Sequence, residues 1–312
     1  MSVLDVPLAP GPGRSARRRA VGLAAAALVL AFLGLAVAHG RDTVAAHDWR
    51  LQPSLVVAGV AALIAFYLAA AWAYCTIVEG LHPASPPRRA QAAIWARSLL
   101  GRYVPGSVLM VVGRVVLGRE AGIPRRVTLA ATVYEQVIGL AVAAAGGVLF
   151  LALYGASGGA SLWLVALVPL VVLGLHPRVF GPIGDRALRR FGREPLTDHL
   201  SARAVALVAG RYALTNALLA VGVWALVRAA AGPSAGGPAF VGLAFLLAFT
   251  VSMVAVIFPS GLGVRDGIFA LALAQNLPGE VAVAVSVGLR LALTAIELVV
   301  VGGLVIWARR GP

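Results

Sequence analysis

Seven long apolar runs dominate this chain, and they restrict the fold more than any other feature. They are Ala20 to Ala38, Pro53 to Val78, Val127 to Leu153, Ser161 to Leu175, Ala204 to Val227, Ala239 to Ile257 and Val281 to Trp307. A helix of about 20 apolar residues, rising about 1.5 Å per residue, covers the ~30 Å hydrocarbon layer of a bilayer. The only charged residues within these runs are Glu135, Arg211, Arg290 and Glu297. Lipid offers no partner to an open backbone amide, so segments of this kind are helices. The chain therefore reads as all-α, a polytopic integral membrane bundle of about eight transmembrane helices with two broken or re-entrant segments.

Composition supports this reading. With 60% hydrophobic residues, 12% charged residues and a mean hydropathy of +0.92, 312 residues carry more apolar surface than one soluble core can bury. A formal net charge of +14 would fit a nucleic-acid binder, but the arginines flank the apolar runs, so no nucleic-acid partner is expected. The chain has no Lys, and its arginine, alanine and glycine content suggests a GC-rich bacterial gene. Cys75 is the lone cysteine, which excludes an intramolecular disulfide and leaves the role of a core thiol.

Arginine placement orients the bundle, because short cytoplasmic loops retain positive charge. The N-terminal tail, the Arg88/Arg89/Arg97 loop, the Arg119/Arg125/Arg126 loop, the segment from His176 to Arg203 and the Arg309/Arg310 tail all read as cytoplasmic. The expected location is the bacterial inner (plasma) membrane, with both termini inside. Residues 1–19 form a disordered basic tail and residues 20–308 the transmembrane domain. Ala36-Val37-Ala38 resembles a signal-peptidase site, but the run before it is longer than a signal core, so an uncleaved anchor is expected. For Arg88 and Arg119 to share a side, Ser98 to Leu117 must enter and return. For Arg309 and Arg310 to lie inside as well, Val264 to Gln275 must cross as half of a broken helix. The Arg186/Arg189/Arg190/Arg193 cluster suits adhesion to an anionic leaflet.

Two stretches put helix breakers and charges at membrane depth: Gly101-Arg102-Tyr103-Val104-Pro105-Gly106 with Arg114, and Phe258-Pro259-Ser260-Gly261-Leu262-Gly263-Val264-Arg265-Asp266-Gly267. Freed backbone groups and ionised side chains survive there only when buried in protein or lining a wet cavity. Pro105 and Pro259 hold similar places in the two halves, which points to a repeat-built transporter with its site at the repeat interface. The same pattern also fits two loops with proline turns.

These residues resemble the lysylphosphatidylglycerol synthase transmembrane family of flippase-like proteins. The first signature is Arg97-Ser98-Leu99-Leu100-Gly101-Arg102-Tyr103-Val104-Pro105-Gly106, then Gly113-Arg114, Gly122 and Glu135-Gln136. The stretch from Phe258 to Gly267 is similar to the second motif, usually nearer Pro-Gly-Gly-Leu-Gly-Val-Arg-Glu; Ser260 and Asp266 depart from it. The resemblance implies a lipid translocase-like domain. Some relatives add a soluble aminoacyltransferase domain; this chain ends at Pro312, so synthesis of lysylphosphatidylglycerol itself is not expected.

The residue types fit a lipid headgroup site independently. Arginine offers a permanently charged, bidentate donor fork to phosphate, so Arg102, Arg114 and Arg265, with Tyr103, are headgroup-binding candidates. Glu135, Gln136, Asp266, Arg290 and Glu297 are coupling or orienting candidates, and Pro105, Gly106, Pro259, Gly261 and Gly263 shape the breaks. Arg290, Thr294 and Glu297 share one helix face, yet the two charges lie about 10 Å apart along it, so their partners are expected on other helices. Such ion pairs also serve simply to hold helices together. Arg211, Tyr212, Thr215 and Asn216 form a further polar patch. Scattered histidines exclude a recognisable metal site, no cofactor is implied, and no compact catalytic signature exists.

The expected function is lipid translocation: an anionic phospholipid or lipid-linked intermediate moves between leaflets, its headgroup in a polar cavity shared by the two broken segments. Expected partners are anionic lipids and cell-envelope biosynthetic enzymes. Two alternatives stay open, a membrane-embedded transferase acting on a lipid-linked substrate and a non-catalytic scaffold for a cell-envelope synthase.

Overall fold

Proline and serine set the helix starts. The computed structural model describes residues 41–49, 51–103, 108–155, 200–254 and 263–310. In order they form α1 (Arg41–Ala46), α2 (Pro53–Leu81), α3 (Arg88–Leu99), a single helical turn (Leu100–Tyr103), α4 (Val108–Glu120), α5 (Arg125–Tyr154), α6 (Ala202–Ala231), a turn (Pro233–Ala235), α7 (Pro238–Val254), α8 (Val264–Leu273) and α9 (Gly279–Arg309). Pro53 and Pro238 open α2 and α7, and Pro87, Pro124 and Pro278 immediately precede α3, α5 and α9. A fixed φ and a missing N–H cost nothing at a helix start, where the amide has no helical partner anyway. Ser201 caps α6 by accepting from the Ala204 amide at 3.2 Å. The runs Ala20 to Ala38 and Ser161 to Leu175 and most of the basic segment from His176 lie outside the described residues, as do Pro105, Gly106, Pro259, Gly261 and the side chains of Arg102 and Tyr103.

The described elements are all helical, and α2, α5, α6 and α9 are each long and apolar enough to cross a membrane. Their 29 to 31 residues rise about 43 to 46 Å, more than the ~30 Å hydrocarbon layer, so their ends reach the headgroups. The outward surface is that of a protein dissolved in lipid: Val57, Leu271, Leu291 and Val299 are each about two-thirds exposed or more.

α2 and α6 pack antiparallel and close. A Cβ on Gly59 would lie 3.1 Å from the Gly222 carbonyl, and one on Gly222 would lie 3.1 Å from the Gly59 carbonyl. Small residues let helix backbones approach where lipid gives no hydrophobic drive to association. The Gln52 amide donates to the Ala229 carbonyl, which ties the N-terminal end of α2 to the C-terminal end of α6.

One helical theme occurs twice. In α3–α4–α5 a helix breaks, a short helix runs back beside it, a short turn follows and a long helix begins; α7–α8–α9 repeats that order. Gly101 abuts Met110 and Arg114 bonds Ser98, so α4 folds back along α3. Phe245 packs edge-on against Phe269 at 5.2 Å, so α8 folds back along α7. The two hairpins start from opposite ends of the bundle. The first leaves the C-terminal end of α2; the second leaves the C-terminal end of α6, which lies beside the start of α2. Val264 to Gln275 was expected to cross, but with ten residues α8 rises about 15 Å, half the hydrocarbon thickness, too little to cross by itself.

The structure corrects one boundary. Arg97 is not in a loop: it is an exposed residue of α3, and the first arm of the hairpin begins at Arg88 rather than at Ser98. Arg88 to Ser98 is too polar to read as a membrane segment, but its Gln91, Trp95 and Ser98 side chains are buried against protein rather than lipid.

Charge separates the two ends. Arg88, Arg89, Arg119, Arg125, Arg126, Arg203, Arg309 and Arg310 gather where α2 ends and α3, α5 and α6 begin. That end also holds Glu79 and Glu120, and the other end carries Arg41 and Arg228 with Asp42, Asp48 and Glu280.

Candidate functional site

Arg114 stands midway along α4, the short return helix, and its side chain is fully buried. An arginine cannot shed its charge, so burial at this depth requires compensation. Glu135, reaching in from α5, supplies it through an ion pair between Arg114 Nη1 and Glu135 Oε2. Arg114 Nε donates to Ser98 Oγ at 2.9 Å, and the Ser98 hydroxyl donates to the Trp95 carbonyl at 2.7 Å. Trp95 Nε1 donates to Glu135 Oε1 at 2.8 Å, closing a ring of contacts among α3, α4 and α5. The guanidinium carbon lies 4.7 Å from the centre of the Tyr74 ring on α2, and Tyr212 of α6 lies within electrostatic reach. Three buried polar atoms of this neighbourhood, Arg114 Nη2, Tyr74 Oη and Tyr212 Oη, have no hydrogen-bond partner among the described residues.

A second charged cluster joins α8 to α9. Gly263, at φ +82°, adopts a backbone conformation that favours glycine and starts α8, and its amide donates to Asp266 Oδ2 at 3.3 Å. Asp266 thus caps the first turn, where the helix dipole favours negative charge. Arg290 Nη1 donates to the same oxygen at 2.6 Å, and Ser286 Oγ donates to the Asp266 carbonyl at 2.8 Å. Arg265 Nε is 3.7 Å from Asp266 Oδ1, and its guanidinium lies 5.5 Å from the centre of the Phe245 ring.

The two clusters mirror one another with the charges exchanged. In the first half the short helix carries the arginine and the long helix the carboxylate; in the second the short helix carries Asp266 and the long helix Arg290. Between them stands Glu297 of α9, buried, accepting from the Tyr67 hydroxyl at 2.9 Å. Tyr67 and Tyr74 are seven residues apart on one face of α2, about 10 Å along the axis. That face meets Glu297 at one level and Arg114 at the other.

The residues singled out in the sequence are distributed as follows. Arg114 meets Glu135, and both Arg290 and Glu297 find partners on other helices, Asp266 and Tyr67. Asp266 lies far closer to Arg290 than to Arg265. Gln136 is exposed, about 100° further round α5 than Glu135, and lies outside the ring. The described contacts of Arg114 and those of Arg265 share no residue. A groove of about 420 Å³ between α2 and α9 is lined by Ile64, Leu68, Val299, Val300, Gly303, Leu304 and Trp307; it is apolar and touches neither arginine. The sequence reading missed Tyr67, Tyr74, Trp95 and Ser98 as site residues. Their signal was there: two tyrosines on one face of a largely aliphatic helix, and a Trp and a Ser three apart in a run too polar for lipid. Among the described residues no group of His, Cys, Asp and Glu could hold a metal ion.

A helical bundle with lipid-facing walls, two folded-back hairpins and ion pairs sealed in its interior defines a polytopic membrane protein. The family model for the lysylphosphatidylglycerol synthase transmembrane region matches residues 19–302, and the chain belongs to that family. Comparison with curated proteins found no match.

Proposed function

We propose that the protein is a lipid translocase that passes the headgroup of an anionic phospholipid, or of a lipid-linked intermediate, between leaflets while the hydrocarbon tails stay in the bilayer. The observation that carries this reading is Arg114, fully buried, matched by one carboxylate, with Nη2 and two neighbouring phenol hydroxyls unpartnered among the described residues. Those donors are of the kind a phosphate oxygen accepts. Glu135 orients the guanidinium and offsets its charge when no headgroup is bound. Arg265, partly exposed at the start of α8, presents a second cation to the headgroup. Membership of a family named for a lipid synthase's transmembrane region is consistent with a lipid substrate.

In this reading the arginine-rich end faces the cytoplasm of a bacterial cell. The first hairpin then re-enters from the cytoplasmic side and the second from the opposite side, an inverted pair of the kind that builds alternating-access transporters. Transport leaves the lipid chemically unchanged, and the protein is not an enzyme. Cell-envelope biosynthetic enzymes supply or consume the lipid that it moves.

The test is translocation of fluorescent phosphatidylglycerol in proteoliposomes, with mass spectrometry of the recovered lipid. Arg114→Gln/Glu135→Gln and Arg265→Gln are expected to slow transfer severely while the protein still folds. Wild-type transfer in both variants rejects the assignment, and a lipid of altered mass favours the transferase alternative.

A further inference from the structure

Arg211 lies outside both clusters. It is on α6, nine residues from the helix start at the arginine-rich end, while its neighbour Trp72 on α2 is nine residues from the helix end there. Both backbones are therefore about 14 Å in from the helix termini, a few ångströms inside the hydrocarbon boundary for helices of this length. The guanidinium carbon sits 4.1 Å from the centre of the Trp72 ring, and Trp72 is 46% exposed. Leu207 and Leu214, which share the Arg211 face of α6, and Leu68, one turn before Trp72, are each about half exposed. The arginine thus sits on the lipid-facing wall.

A charge there needs a counter-charge. Glu79 is the one described carboxylate within electrostatic reach, and Nη1 of Arg211 is buried without a hydrogen-bond partner among the described residues. Glu79, at the same end of α2, is engaged by Arg88 through two bonds of 2.7 and 2.8 Å. An arginine stem reaches toward the interface while its head seeks the nearest acceptors, which at this depth are lipid phosphates. The indole holds the guanidinium by its π face, and because Nη1 is buried a bidentate contact uses the Nε–Nη2 edge of the fork.

We propose that Arg211 and Trp72 form a binding site for the phosphodiester of an anionic glycerophospholipid in the leaflet at the arginine-rich end, entered sideways from the bilayer. A zwitterionic headgroup is the weaker ligand, because its own cation competes for the phosphate. The site is separate from the Arg114 cluster and does not depend on transport. Native mass spectrometry of the purified full-length chain tests it, with phosphatidylglycerol, phosphatidylcholine and inorganic phosphate as probes. The wild type is expected to retain phosphatidylglycerol in preference to phosphatidylcholine, and Arg211→Gln to bind it about tenfold or more weakly. Trp72→Leu keeps the charge and the apolar surface, so its weaker retention at unchanged thermal stability separates binding from folding. Equal retention of phosphatidylglycerol by wild type and both variants overturns the proposal. Displacement of the lipid by inorganic phosphate at equal concentration overturns its assignment to a lipid.

Discussion

Arg114 and Glu135 depend on one another because neither charge has water to fall back on. Removing one partner of a buried pair leaves the other uncompensated, whereas replacing both with neutral groups of similar shape is far less harmful. Glu135→Gln is therefore expected to destabilise the folded protein by about 3–5 kcal/mol, read as a fall in the thermal or denaturant midpoint in detergent. The double variant Arg114→Gln/Glu135→Gln should recover most of that loss; a double variant no more stable than Glu135→Gln alone would contradict the pairing. The two members of this pair were legible in the sequence as costly charges at membrane depth, Glu135 inside an apolar run and Arg114 beside a helix-breaking stretch. Their second layer, Trp95, Ser98 and Tyr74, was not, because aromatic and hydroxyl side chains are ordinary in membrane helices and only the fold brings them together.

The long helices were legible almost to the residue, since hydrophobic length and flanking prolines act locally. Val127 to Leu153 became Arg125–Tyr154, and Val281 to Trp307 became Gly279–Arg309. The first hairpin arm was not legible, because α3 is buried by neighbouring helices and need not be apolar in sequence. Gly101 holds that hairpin shut: a Cβ there would lie 2.6 Å from the Met110 amide nitrogen, backbone that cannot turn aside. Gly113, on the same hairpin, has nothing within 4 Å of such a Cβ. Gly101→Ala is expected to cost about 1–3 kcal/mol through forced backbone displacement, while Gly113→Ala is neutral or slightly stabilising because it adds helix propensity. Thermal unfolding of the two variants side by side checks this, and equal midpoints would show that the turn opens freely.

For the whole molecule, two hairpins entering from opposite ends bring exchanged charge pairs into one bundle, linked by the Tyr67–Glu297 contact and the shared face of α2. In the sequence the helix breakers Pro105 and Pro259 pointed to paired halves, although the halves share little sequence and both prolines lie outside the described residues. What the halves have in common is an order of helices and a placement of charge, which many residue choices satisfy. The same bundle admits two uses of its interior ion pairs: bracing short helices against long ones, or receiving a headgroup. The Arg114→Gln/Glu135→Gln variant separates them, because it keeps a hydrogen-bonded, neutral brace and removes the fixed cation. Transfer of labelled phosphatidylglycerol between leaflets, measured in proteoliposomes of this double variant beside the wild type, is the most direct test of translocation through this site. The account predicts a folded protein whose transfer falls to the level of protein-free vesicles; transfer at the wild-type rate would contradict it.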